Sequence, residues 1–433
     1  MPFTFDSKII DAALRRIQSR QINPRREIDP GLFAEVDRIM EAAVDTGYTA
    51  PEGSYDFREQ IRSNTEVFAA FKAHRMGRDM AAQLLDENGQ LKSYRQFKKD
   101  TESIVSHHVD NWLRTEYDTA VKRAHKAAEM QQFRDEADVF PNIEWLPSTA
   151  VTPREEHKPF YHHIWPIDDP FWDHHKPGDE WGCQCDWRAT DEPVTDNTGL
   201  DGDGGPSVSK GLGGDPSKTG QVFSQDHPYF PSDCKHCSFY KPGIKDRLKS
   251  IFTARVKDCY SCPYVQGCIK DAKEKGYLPD GTYGNRLLIS PNADQSEIKD
   301  NTRAAKALLD SFPNMQIRIS EHIIKKDHKN PEYIINGLVA DRKGIENERG
   351  IKWGFQSAIG QGCSSIVIDL DASAPRHLFR PSEIAKRISW RHMDFESGTI
   401  EECYVVYNGH AVCIDSSFTT RESIAEEIKK LKL

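Results

Sequence analysis

Three groups of residues in this chain have types and spacings that can do chemistry. The first lies in NPEYIINGLVADRKG, residues 330–344, and comprises Pro331, Glu332, Asp341 and Lys343. Asn336-Gly337 joins two short strands there, the pattern of a tight hairpin. Two carboxylates at the ends of adjacent strands can share a divalent ion. A lysine two residues after the second points to the same face, because strand side chains alternate. Together they could polarise a phosphate, place a metal-bound water and stabilise developing charge. The same residues also fit an edge hairpin with a surface salt bridge, which is worth little.

The second group is Cys234, Cys237, Cys259 and Cys262, two CxxC knuckles suited to tetrahedral thiolate coordination of Zn2+. Four thiolates leave no open position, so such a zinc would be structural. Reduced thiols, a disulfide formed later outside the cell, or an iron–sulfur cluster are the alternatives. The third group is His157 ahead of the CxC pair Cys183 and Cys185, in a stretch that also holds His162, His163, His174 and His175. It could also hold zinc, or it could be surface histidines beside aromatic packing.

The elements that would carry these groups divide the 433 residues into several domains. Residues 1–140 read as a helical N-terminal region, with apolar residues at helical spacing and a long amphipathic helix after residue 100. Residues 141–190 are rich in Trp, His, Pro and Asp, and read as a loop-rich His/Cys module without a regular periodic element. Residues 191–228 are rich in Gly, Asp, Ser and Pro and read as a linker, closing a region 141–230. Residues 231–275 are a small Cys-rich, zinc-like module, followed by a turn-rich link. Residues 292–433 read as an α/β (α+β) domain: a helix, a strand, the hairpin above, a helix, the strand SSIVIDL, another helix, a hairpin at Asn408-Gly409 and a last helix. The fold class expected is thus multidomain, mostly α at the N-terminal side and α/β at the other.

Composition limits the function classes. The net charge of −9 excludes the basic footprint of a whole-chain nucleic-acid binder, although a sum hides local patches. No run of eighteen apolar residues is present, so no membrane segment is expected. The first residues lack a basic stretch followed by an apolar one, so cytoplasmic synthesis is expected. Clustered cysteines in such a protein are more often metal ligands than disulfides.

The stretch REEHKPFYHHIWPIDDPFWDHHKPGDEWGCQC resembles the motif of the phage Mu F-like head morphogenesis (minor head) proteins. Arg154, His157, Asp168, Asp169, Pro170, Phe171, Trp172, Trp181, Cys183 and Cys185 match it. WLRTEYDTAVKRAH, residues 112–125, resembles the helix that precedes the motif in that family. Gln184 stands where Arg is usual and Thr152 where an acid is usual. The resemblance spans roughly residues 60–230. It implies a virion component near the portal, with portal or capsid proteins as partners, acting in head assembly or DNA packaging and delivered with the DNA.

The order helix, three strands, helix, strand in the C-terminal region resembles the core of the PD-(D/E)xK nucleases. That likeness implies Mg2+ or Mn2+ at Glu332 and Asp341, with Lys343 as the phosphate partner and Glu297 and Gln361 as helpers. Residues 297–415 also resemble the tRNA-nuclease domains of contact-dependent growth-inhibition toxins, through Asn330 to Tyr333, Asn336, Gly337, Asp341, Lys343 and the strand Ile366 to Leu370. Glu332 stands where Asp is usual. This implies an RNase toxin with tRNA as substrate, a cognate immunity protein and delivery into a target cell. Some such toxins use a metal-free barnase/EndoU/colicin/RelE-type fold, for which His322, Arg342 and Lys343 are the local candidates. The main expectation is a minor head protein carrying a C-terminal nuclease. The alternative is a purely structural head protein whose C-terminal domain only binds. A zinc-dependent transcription regulator rests on the CxxC pairs alone, and the acidic chain without a helix-turn-helix pattern argues against it.

Overall fold

Capped helices build the first half of the chain in a computed structural model that describes residues 3–49, 55–200, 208–241, 256–322, 329–371 and 379–433. Helix α1 (Ser7–Gln18) starts at Asp6 and α2 (Pro30–Gly47) at Asp29, whose carboxylate accepts from the Gly31 and Leu32 amides. Asp29 also accepts from Arg16 at 2.7 Å, which ties α1 to α2. Helices α3 (Tyr55–Ala81), α4 (Tyr94–Ser106) and α5 (Leu113–Asp135) follow. The long helix expected after residue 100 is interrupted by a π-helical segment at His107–Trp112. Gly47 lets α2 reach α5, since a Cβ there would sit 2.1 Å from the Val121 carbonyl oxygen. Lys72 of α3 is fully buried, with its ammonium 2.7 Å from Glu116 of α5.

Residues 141–190 differ from the expectation of an irregular module. Strands β1 (Asn142–Leu146), β2 (Ile164–Pro166) and β3 (Asp186–Thr190) form an antiparallel sheet in the order β2-β1-β3. Ile143 and Trp145 alternate into a core with Trp165, Trp172 and Trp187, and the short α6 (Phe171–His174) closes it. Aromatic area, rather than strand length, supplies this sheet's stability. The linker expectation fails for residues 208–230. Leu212, Val222, Phe223, Tyr229 and Phe230 are buried in the helical core, near the short α7 (Pro216–Thr219). The guanidinium of buried Arg123 satisfies the Val222 and Gly178 carbonyls, at 2.7 and 3.1 Å. The Cys-rich stretch joins the same core through Phe239, Tyr260 and helix α8 (Pro263–Gly276).

Met1–Lys275 and Gly276–Leu433 are separate compact units. The second begins with β4 (Leu278–Asp280) and β5 (Gly284–Ile289), a hairpin where a link was expected. Then come α9 (Ile298–Ser311), β6 (Ile317–Ile319), β7 (Tyr333–Ile335), β8 (Leu338–Gly344), α10 (Gly350–Gly360) and β9 (Ser365–Asp369). Helices α11 (Pro381–Ser389) and α12 (His392–Glu396), the β10 (Glu402–Tyr407) and β11 (His410–Asp415) hairpin and α13 (Arg421–Lys429) complete it. The described strands make one mixed sheet in the order β11-β10-β9-β8-β7-β6-β5-β4, with β8 parallel to β9 and β9 parallel to β10. Asn336-Gly337 and Asn408-Gly409 both take the left-handed conformation at the hairpin turns, as such dipeptides favour. Ile366 and Ile368 pack with α10, α11 and α13 on one face, and Val367 packs with α9 on the other. No described helix is long and apolar enough to cross a membrane.

Candidate functional site

His157 sits in a 3-10 turn, Glu155–Phe160, and Cys185 directly precedes β3. The sheet therefore carries the thiols to the imidazole. The ligand atoms of His157, Cys183 and Cys185 all lie within 4.8 Å of one another. His157 Nδ1 is 3.5 Å from each sulfur, and its Nε2 is 3.1 Å from Asp179 Oδ1. Trp145 and Phe160 pack around the ring. Burial opposes a charge on His157, but the hydrogen bonds with Asp179 and Cys183 outweigh it and push the ring up to about 10. The hydrogen bond with Cys183, working against burial, brings the Cys185 thiol down to about 7. The contact with Cys185, together with burial, pushes the Cys183 thiol up. One nitrogen and two sulfurs suit Zn2+, and a carboxylate on the far ring nitrogen is the usual orienting partner of a metal-bound histidine. A cavity of about 350 Å3, lined by Thr152, Arg154, Glu156 and Gln184 among others, opens on Cys183 and His157. Sequence reasoning missed Asp179. Its signal was present, since an acid ahead of a CxC pair is the natural second partner of a ligating histidine.

Cys234, Cys237, Cys259 and Cys262 lie near enough that Cys234, Cys237 and Cys262 each raise the Cys259 thiol electrostatically. Burial is the larger cause, and together they push Cys259 up to about 12. The four sulfurs do not form a group within ligand distance among the described residues. Residues 242–255, between the knuckles, lie outside the described residues.

In the second unit Tyr333 pairs with Ala340, so one step outward Glu332 would stand opposite Asp341. Glu332 Oε2 accepts from the Arg342 amide at 3.3 Å. Asp341 is wholly buried, and Lys343 Nζ lies 2.5 Å from its Oδ2. Neither Asp341 oxygen has a hydrogen bond of good geometry among the described residues. Burial pushes the Asp341 carboxyl up, Lys343 opposes this, and the charge of Glu297 adds to it. A carboxylate is a hard oxygen ligand of the kind that Mg2+ or Mn2+ takes, and Lys343 is the cation that accompanies Asp341 here.

The helpers are placed differently. Arg342 points to the opposite sheet face from Asp341 and Lys343, bonding Asp369 at 3.0 Å, Asn301 at 2.6 Å and Glu297 at 2.9 Å. Arg303 bonds the same Asp369 at 2.7 Å. Glu297, just before α9, is therefore held by Arg342. Gln361 caps the end of α10, and its Oε1 is buried without a hydrogen bond. His322 is paired with Asp294 at 3.5 Å, and Arg342 is committed to carboxylates, so the described structure does not gather the metal-free trio of His322, Arg342 and Lys343. The Asp369–Arg303–Arg342 network went unseen in the sequence, because its members come from three elements far apart in the chain.

Comparison with known proteins bears on the first unit. Residues 64–188 match the family described as Phage Mu protein F like protein. The "Putative capsid assembly protein F" of Escherichia phage Mu is 27% identical over 114 residues, covering 26% of this chain and 26% of that protein. The chain thus matches about a quarter of the length of this curated relative. No solved structure matches the chain. Residues 64–188, which contain α5, the β2-β1-β3 sheet and the His157–Cys183–Cys185 cluster, are a Phage Mu F-like domain.

Proposed function

We propose that the chain is a phage head-assembly protein whose second unit is a metal-dependent nuclease, an RNase acting on tRNA-type substrates. The observation that carries the nuclease part is the β7–β8 register. It pairs Tyr333 with Ala340, and carried one residue further it would bring Glu332 opposite the buried Asp341, on the face where Lys343 lies against the Asp341 carboxylate. Glu332 and Asp341 would hold Mg2+ or Mn2+, which supplies Lewis-acid polarisation of a phosphoryl oxygen and an acidified water. Lys343 leaves Asp341 to bind a non-bridging phosphate oxygen and balances the charge that develops there. Glu297 and Arg342 would stiffen the middle of the sheet from the opposite face rather than touch the phosphate.

The head-assembly part rests on the Phage Mu F-like domain. Portal or capsid proteins are its partners, virion association its location, and delivery into a target cell the route by which a nuclease meets its substrate. An immunity protein would protect the producing cell. Zn2+ at His157, Cys183 and Cys185 would brace the three-stranded sheet, and a further structural Zn2+ would take Cys234, Cys237, Cys259 and Cys262 as its ligands. The test is cleavage of tRNA, other RNA and DNA by the purified full chain in Mg2+ or Mn2+, beside Lys343→Ala. Cleavage by the parent and a loss on the order of a hundredfold in the variant are expected. No cleavage of any nucleic acid would overturn the nuclease and leave a structural head protein.

A further inference from the structure

Trp353 lies on the solvent side of α10 and is 70% exposed, the most exposed tryptophan among the described residues. It lines an open pocket of about 350 Å3 together with Lys343, Asn347, Gly350 and Ser357. Lys343 is the link to the carboxylates, 2.5 Å from Asp341. The helix is seated against that lysine by Gly354, where a Cβ would lie 3.4 Å from the Lys343 Cβ. The exposed indole face is free to stack on a planar partner at the mouth of the pocket that Lys343 also lines. Lys343 is the one cation and Glu346 the one acid lining the pocket, and exposed Arg349 stands one helical turn before Trp353, at the start of α10.

We propose that Trp353 is a stacking platform for an unpaired nucleobase next to the phosphate held by Lys343. This rests on the nuclease reading above and adds the substrate class to it: single-stranded or looped nucleic acid. Every base presents a π face, so an aromatic ring beside cationic side chains binds bases with little regard to sequence. In a duplex both faces of each base are covered by its neighbours, and Trp353 has nothing to stack on. Recognition through splayed, stacked bases is the general mode for single-stranded regions and loops.

The test uses the full chain carrying Asp341→Asn, which blocks cleavage while preserving the shape of the site. Fluorescence anisotropy in Mg2+ reads binding of a labelled single strand and of the same sequence as a blunt duplex, as RNA and as DNA. The single strand should bind at least about tenfold more tightly than the duplex, and adding Trp353→Ala should weaken it about tenfold. Trp353→Phe should retain most of the affinity, and thermal unfolding should be unchanged because the ring is exposed. Equal binding of strand and duplex, no binding at all, or an alanine variant as tight as its parent would overturn the platform. The two readings fail separately. Trp353-dependent binding without cleavage by the natural chain refutes the nuclease and keeps the platform. Cleavage with Trp353-independent binding does the reverse. The RNA and DNA arms identify the source of the base.

Discussion

His157–Cys183–Cys185 in the first unit and Glu332–Asp341–Lys343 in the second are both triads of polar side chains, and they differ in the chemistry of their ligand atoms. The first offers soft nitrogen and sulfur, with the ring fixed from behind by Asp179 at 3.1 Å and held among Trp145 and Phe160. The second offers hard oxygens, with the buried Asp341 carboxylate 2.5 Å from the Lys343 ammonium. Soft, oriented, aromatic-packed ligands suit a permanent structural ion. Hard ligands beside an open pocket suit an ion that shares its shell with a substrate. Ligand softness and what stands behind each ligand thus separate a brace from a reaction centre better than the count of ligands does.

The sharpest way to break this comparison is Asp341→Asn. Cleavage by the full chain should fall on the order of a thousandfold, while zinc content by elemental analysis stays as in the parent. A fall in both would contradict the independence of the two triads. Asp179→Asn should act in reverse, weakening zinc binding by roughly 10- to 100-fold in a competition titration and leaving cleavage within about twofold. If zinc affinity is unchanged, Asp179 does not orient the ring.

Two stability measurements sharpen the contrast further. Arg342→Met removes a buried guanidinium from Asp369, Asn301 and Glu297, and should destabilise the second unit by about 3 kcal/mol in urea melts. A change below about 1 kcal/mol would show that Arg303 alone satisfies Asp369. In the first unit, burial lowers His74 and His227 to about 4. Their folded values lie below the unfolded one, so the neutral rings favour the fold above about pH 6.5, and that contribution fades as pH falls through about 4. His227→Gln should therefore remove roughly 2 kcal/mol of the loss seen on acidification, read as a flatter melting temperature against pH. An unchanged slope would contradict a neutral buried His227.

What the sequence disclosed follows from how local each signal is. Asn336-Gly337, Asn408-Gly409 and the apolar run Ile366 to Leu370 announce their elements through neighbours, and the hairpin register that pairs Tyr333 with Ala340 follows from its turn. The three-stranded sheet was hidden because Pro, His and Trp crowd its short strands, and cross-strand aromatic packing is not visible along the chain. Residues 208–230 looked like a linker by composition, yet Val222, Phe223 and Phe230 bury enough area, and Arg123 satisfies enough backbone, to hold them in the core. Among the described residues the His157–Cys183–Cys185 ligand atoms meet within 4.8 Å, a proximity that the spacing of the chain alone does not reveal. Arg342 and Asp369 are charges in apolar strands, and their partners lie on other elements.

The account stands most directly on the metal dependence of cleavage by the full chain. In chelator, cleavage of tRNA should disappear, and Mg2+ or Mn2+ added in excess should restore it. Cleavage that persists in chelator, or none with any divalent ion, would contradict the assignment of Glu332, Asp341 and Lys343.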